Sequence, residues 1–363
     1  LDMSIKVFNK LDSISSDLWN SSIEDNNLFV RYDFLKYYFD NHKDIEHIYV
    51  ISENERLYGH VFNINLSDMS HYTKYTFLRY IYYFFVRFIR LRFFYFTNSF
   101  LTNIPAFSIN NLFYLKEILS NINKNIKYDF IVIPDFLFDN INNRSDLDEF
   151  VKVEVEEEMI LDISSSWIDF NSYRDSLKTK YRSRLDNITK RSVGLDVKLL
   201  KREDIELYKD SIQKLFNNVT NDANFKGTIF NVNTLYDLSE NLTNFKLYGY
   251  FIDDKLLAFS SELTHLDTLY SYFVGIDYNY NKQYSLYARI LCETINNAIL
   301  LKKRSLVFGR TANEFKSNFG AVPHKSFVYI LVRNKFLRIV LRKILISIRP
   351  KKWIQRFPFK STA

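Results

Sequence analysis

One pattern constrains this chain more than any other: the succession strand, turn, strand, helix, strand is written twice, about 200 residues apart. The first copy opens with IYVISENERLYGHVFNI (residues 48–64), two apolar stretches around a polar turn at Ser52 to Arg56, and the second with LYGYFIDDKLLAFSSEL (residues 247–263). β-branched and aromatic runs split by a short polar segment are hairpin text. Each hairpin is followed, after an interval, by a segment with helical spacing and a short apolar strand: NLFYLKEILSNI and DFIVI in the first half, YSLYARILCETINNAILL and SLVFG in the second. Each half is therefore expected to be α/β. The expected domains are 1–160 and 161–332, with residues 333–363 as a tail.

A length of 363 residues suits two such units. Seven glycines form neither a GxGxxG nor a GxxxxGK[ST] loop, which removes the usual backbone cradles for dinucleotides and nucleotide phosphates. The lone cysteine, Cys292, has no internal disulfide partner, and the six histidines contain no HExxH pair, so no metal site is expected and a reducing compartment is. Residues 1–13 lack the apolar core of a signal peptide.

Charge is unevenly placed. The net charge is +7, and the segment from Arg333 to Ala363 holds ten Lys or Arg and no acid, so the remainder is weakly acidic. A nucleic-acid footprint over the body is not expected, and DNA is excluded as a partner. On a helix, Lys335, Arg338, Arg342 and Arg349 share an arc of about 60°, with Leu337, Val340, Leu341, Ile344 and Ile348 opposite. This basic amphipathic helix is suited to an anionic membrane surface. Residues 72–96 form a second aromatic and basic segment, read as an interfacial helix carrying Arg79, Arg87 and Arg90; 13 of its 25 residues are aromatic, and its uncharged stretches are too short to cross a bilayer. The acidic run Glu154 to Glu158 reads as a solvated edge or turn.

Residues 172–192 read as one helix with seven basic residues against Asp175 and Asp186, ended by Gly194. Lys180, Arg182 and Arg184 on it are candidate partners for a phosphate at a cleft mouth.

The stretch LKTKYRSRLDNITKRSVGLDV (residues 177–197), the hairpin containing DDKLLA and the segment FGRTANEFKSNFGAVP (residues 308–323) together resemble the Fem-like members of the GNAT acyltransferase superfamily, which are built from two GNAT-like domains. The resemblance is good over 160–330, fainter over 1–160 and absent from the tail. It implies a mixed central sheet flanked by helices in each half, and transfer of an acyl or aminoacyl group to an amine, with the donor in a splayed gap between strands at 268–277 and 305–309. In CoA-using members a glycine-containing loop then binds pyrophosphate; here Lys282, Gln283, Tyr284 and Ser285 occupy that place without a glycine, which argues against CoA. Fem-like members that take an aminoacyl group from tRNA also lack the loop. The donor therefore stays open between acyl-CoA and aminoacyl-tRNA as co-substrate, with tRNA as carrier and no tightly bound cofactor.

Arg310 and Lys316, where a strand ends and a helix begins, are candidates for holding a phosphate or carboxylate of the substrate. Glu262 and Tyr272 are candidates for deprotonating the amine and stabilising the oxyanion or leaving group. The expectation is an acyltransferase, cytoplasmic and peripheral to the inner membrane, acting on an amine of a cell-envelope or lipid-linked acceptor. Two alternatives stay open: a soluble acetyl-CoA-dependent N-acetyltransferase, and a non-catalytic lipid- or precursor-binding module.

Overall fold

The computed structural model describes residues 5–24, 27–53, 55–65, 90–101, 104, 107–108, 112–138, 149–221 and 230–360. In chain order its elements are β1 (Lys6–Phe8), α1 (Ser16–Asn20), α2 (Tyr32–Asn41), β2 (Glu46–Ile51), β3 (Arg56–Asn65), β4 (Arg90–Phe96), β5 (Phe107–Ser108), α3 (Leu112–Asn125) and β6 (Phe130–Pro134). Next come β7 (Val151–Asp162), α4 (Phe170–Ser176), α5 (Thr179–Arg191), β8 (Asp196–Leu199), α6 (Arg202–Asn221), α7 (Asn233–Asn241), β9 (Phe245–Ile252), β10 (Lys255–His265) and β11 (Thr268–Ile276). The last are α8 (Tyr278–Tyr284), α9 (Leu286–Leu300), β12 (Ser305–Gly309), α10 (Asn313–Ser317), β13 (Val322–Val332) and α11 (Lys335–Ser347).

The fold is α/β and its residues fall into two units, but these are not the expected consecutive blocks. One unit takes residues 1–155, 224–231 and 326–349, the other 156–223, 232–325 and 350–363.

In the first unit the strand order is β1-β2-β3-β4-β6-β13, with β5 also on β3. β4 and β6 are parallel, and β13 pairs antiparallel with β6, from Val328↔Pro134 to Val332↔Phe130. Leu115, Ile118 and Ile122 of α3 pack on Ile48, Val61, Phe94 and Ile131, while Trp19 and Leu35 from the α1 and α2 side pack with Tyr49 and Tyr58. Covered on both faces, β2 is buried continuously from His47 to Ile51 rather than at alternate residues. Residues 66–89, most of the expected interfacial helix with Arg79 and Arg87, lie outside the described residues. Its end, with Arg90, is strand β4, whose four consecutive aromatics, Phe93 to Phe96, point to both faces of the sheet.

In the second unit the order is β7-β12-β11-β10-β9-β8. β7 pairs antiparallel with β12, from Ser305↔Asp162 to Gly309↔Met159. Leu291, Ile295 and Ile299 of α9 pack over Met159, Leu161, Leu269 and Leu306. The hairpin β9-β10 turns through Asp253 and Asp254, both left-handed (φ 45° and 61°).

Three further expectations change. Residues 172–192 are not one helix: Leu177 and Lys178 are extended, Leu177 bridges to Phe359, and the Lys178 amide donates to Pro358 O at 2.8 Å. The acidic run is neither a turn nor simply solvated; it lies inside β7, and Glu157 accepts from Asn313 Nδ2 (3.0 Å) and Trp353 Nε1 (3.1 Å). The basic tail is not one appendage, because α11 belongs to the first unit, whereas Trp353 and Phe359 pack into the core of the second.

Candidate functional site

β11 and β12 run parallel but are paired at only three positions, Thr268↔Ser305, Leu269↔Leu306 and Tyr270↔Val307. Beyond Tyr270, β11 continues to Ile276 without β12 beside it. The strands therefore split toward their carboxyl ends, the place where α/β sheets open a crevice for ligands.

A cavity of about 720 Å³ lies there, bounded by the segments into which the two strands lead, Ser285 and Ala288 at the start of α9 and Glu314, Phe315 and Asn318 around α10, and by the outer face of α5. Lys180, Arg184 and Arg191 of α5 and Arg356 of the C-terminal segment line it, opposed by one acid, Glu314, which is ion-paired with Arg356. Four cations against one carboxylate stand at the positive end of a 15-residue helix, an arrangement that favours an anion. The structure thus brings Lys180, Arg184 and Ser285 together. Arg182 turns away to Thr179 Oγ1 (3.3 Å). Lys282 and Gln283 are exposed on α8 and do not line the cavity; Lys282 contributes its carbonyl, which accepts from Arg191. Tyr284 stacks on Tyr280, with ring centroids 6.4 Å apart.

The glycine-free start of α9 keeps a left-handed residue all the same, Ser285 at φ 54°. One amide of the first turn is already occupied, since Tyr287 N donates to Asn281 Oδ1 at 3.0 Å.

At the tip of β12 the backbone is left-handed at Gly309, Thr311 and Ala312, a costly run for the two non-glycine residues. Lys316 holds this tip. Its buried Nζ donates to the carbonyls of Phe308 (2.9 Å), Gly309 (3.0 Å) and Arg310 (2.8 Å). Burial pulls the Lys316 ammonium down to about 7, with Glu156 and Glu158 acting the other way. Three accepting carbonyls require three N–H hydrogens, which only the ammonium has. Arg310, between the strained residues, has its Nε buried without a hydrogen-bond partner.

Register places Tyr270, Val307 and Ile160 side by side on one face of the sheet, and Glu158, two residues before Ile160, shares that face. Tyr270 is held above the usual phenol range by burial and then by the Glu158 charge. Glu262, in contrast, lies on the opposite face under α9, and both its oxygens accept from Asn297 Nδ2 at 3.1 Å. Burial pushes its carboxyl up to about 7 against hydrogen bonds from Asn297 and Thr294. Tyr272 packs edge-on against Phe245, centroids 6.4 Å apart. Neither lines the cavity. No group of His, Cys, Asp and Glu able to hold a metal occurs among the described residues.

Arg191 and Arg356 are the cavity residues that sequence reasoning missed; Glu158 and Tyr270, which do not line the cavity, are the further pair it did not single out. Alternation of Glu154, Glu156 and Glu158 along a strand was the available signal for Glu158; Arg356 arrives through a chain reversal that leaves no local trace.

The sequence model of the acetyltransferase (GNAT) domain matches residues 220–317, which hold β9, β10, the split strands and α9. The part of the chain that holds the split strands is thus similar in sequence to a GNAT acetyltransferase domain. The chain has the fold of FemX, with a TM-score of 0.52 at 11% identity over 93% of this chain and 100% of that one. It is similar also to a conserved protein of unknown function from Bacteroides thetaiotaomicron VPI-5482 (TM-score 0.51, 11% identity, 90% of this chain and 100% of that one). A looser likeness joins it to L-PGS from Bacillus licheniformis (TM-score 0.43, 10% identity, 70% of this chain and 82% of that one). No curated protein matches the chain in sequence.

Proposed function

We propose that the chain is an acyltransferase that binds the phosphate-bearing part of an acyl or aminoacyl donor in the cavity at the split strands. We propose further that it passes the acyl group to an amine of a cell-envelope or lipid-linked acceptor at the cytoplasmic membrane surface. The observation that carries the donor part is the convergence of Lys180, Arg184, Arg191 and Arg356 on one cavity at the start of α9. Asn281 already takes one first-turn amide, and Ser285 carries a side chain where pyrophosphate would approach the backbone, so an aminoacyl-tRNA end is favoured over CoA. In the reaction, the amine nitrogen attacks the donor carbonyl carbon and gives up a proton as the donor oxygen or sulfur leaves. We assign that proton to Glu158, on the face it shares with Tyr270, and the acceptor's anionic group to Arg310 at the strand tip, a reading supported by the strand register and by the unpartnered Arg310 Nε.

Calorimetry with CoA and with an aminoacyl-tRNA tests the donor. Binding of the aminoacyl-tRNA weakened at least about tenfold in Arg184→Ala and Arg191→Ala is the expected result. Micromolar CoA binding that survives both variants sinks the assignment. Glu158→Gln is expected to lower turnover and shift its pH profile without changing donor affinity; unchanged turnover removes Glu158 from the reaction.

A further inference from the structure

Helix α11 turns outward the side that a helix packed on its own domain hides. Asn334 caps it, its side chain accepting from Phe336 N and Leu337 N, and none of its residues is buried. What holds it to the first unit is one edge. Arg338 donates to Val332 O (2.9 Å) and pairs with Glu149 (3.0 Å), and Leu345 packs against Val151, Val153 and Val328. Arg338 is thus a docking residue and not part of a free basic stripe. Away from that edge Phe336, Ile339 and Val340 are 84%, 73% and 63% exposed, and Leu337, Ile344 and Ile346 are exposed with them.

At 100° per residue these six side chains cover about half the helix circumference, far wider than the seam a partner helix buries. Lys343 stands within the apolar arc, and Lys335 and Arg342 border it. In a protein interface Lys343 would be buried beside Ile339 and Phe336 with its charge unpaired. At a bilayer surface its stem follows the apolar side chains while the ammonium reaches the headgroups. Lys335, Arg342 and Lys343, on a helix that carries no acid, set the sign of those headgroups. The helix is too short to cross a membrane.

We propose that α11 lies in the interface of an anionic lipid bilayer, with Phe336, Ile339, Val340 and Ile344 inserted and Lys335, Arg342 and Lys343 on headgroup phosphates. This deepens the membrane-side part of the function proposed above and rests on it for the location of the acceptor.

The test is co-sedimentation of the full chain with vesicles of phosphatidylcholine alone or mixed with phosphatidylglycerol. The protein is expected to pellet with the mixed vesicles, less so as salt rises, and to stay in solution with phosphatidylcholine alone. A Phe336→Ser, Ile339→Ser, Val340→Ser variant and a Lys335→Ser, Arg342→Ser, Lys343→Ser variant are each expected to lose at least about tenfold in vesicle affinity with thermal melts unchanged. Parent protein that remains in solution, variants that pellet like the parent, or self-association abolished by the triple apolar variant would each overturn the proposal, the last assigning the face to a second copy. Donor binding measured on the same samples separates the two readings: retained donor binding without vesicle binding sinks only the helix, and the reverse sinks only the transfer reaction.

Discussion

Glu262 sits where a carboxyl is stable chiefly with its proton on. Its folded pKa, about 7, lies above that of an unfolded glutamate, so its contribution to stability is complete below about pH 4.3 and is lost as pH rises through 7. At about 1.4 kcal/mol per pKa unit, the cost at pH 8 is on the order of 3 kcal/mol. Glu262→Gln, which cannot ionise, is therefore expected to be more stable than the parent at pH 8 and little different at pH 5, as denaturant melts at the two values would show. An equal effect at both would mean that the carboxylate is charged throughout. The buried histidines of the first unit act with the opposite sign. His60, Tyr58 and His47 form a hydrogen-bonded chain (2.5 and 2.7 Å), and burial holds His47 down at about 4 and His60 well below the usual imidazole range. Stability from them is present above about pH 6.5 and lost as pH falls through 4, so acid unfolding centred below pH 5 is expected, shifted down in His47→Gln. Lys316→Ala leaves three buried carbonyls short of a donor and is expected to cost about 2 to 4 kcal/mol, whereas Arg310→Ala, which removes a side chain whose Nε is unpartnered, leaves the denaturation midpoint in place. Melts of both variants distinguish the residue that holds the strand tip from the one available to substrate.

At the scale of elements, what is legible in sequence is what neighbours along the chain decide. Both hairpins, α3 with β6, and α9 with β12 follow from alternation, helical spacing and turn residues. The interruption between α4 and α5 does not, because Leu177 and Lys178 are good helix residues held extended by a strand-like contact from Phe359, more than 180 residues later. The candidate site divides in the same way. Lys180, Arg184 and Ser285 are legible because they sit on a basic helix and at a helix start, while Arg356 depends on that same late contact. Missing glycines did not reveal the backbone shape, since Ser285 adopts the left-handed conformation a glycine would take. A residue with a Cβ pays about 1 kcal/mol there. Ser285→Gly is expected to stabilise the protein by about that amount while leaving α9 in place; destabilisation in denaturant melts would show that the serine hydroxyl matters more than the strain.

At the scale of the whole molecule, the duplicated pattern predicts two α/β units but not the exchange of their closing strands. β7, which comes after β6 in sequence, pairs with β12, and β13, which comes after β12, pairs with β6. No local signal fixes which distant strand completes a sheet, so the pattern alone places the domain boundary too simply. The same long-range economy governs the C-terminus. After α11 the chain returns to the second unit, where Phe359 packs on Trp167 and Tyr173, Lys360 N donates to Ser176 O (3.0 Å), and Gly320 faces the Phe359 ring. A Cβ built on Gly320 would stand 2.3 Å from that ring, and its φ of +94° is itself hostile to a side chain. Gly320→Ala and Phe359→Ala should then destabilise by the same route, each by about 3 kcal/mol, since either removes the ring from the core that Trp167, Tyr173 and Leu177 share. The double variant is expected to cost little more than one alone, because each change removes the same contact. Additive losses in melts would show that the tail and the turn are independent. Truncation after Arg349 would carry the same defect, so serine substitutions within α11, and not removal of the C-terminus, are what separate membrane contact from folding.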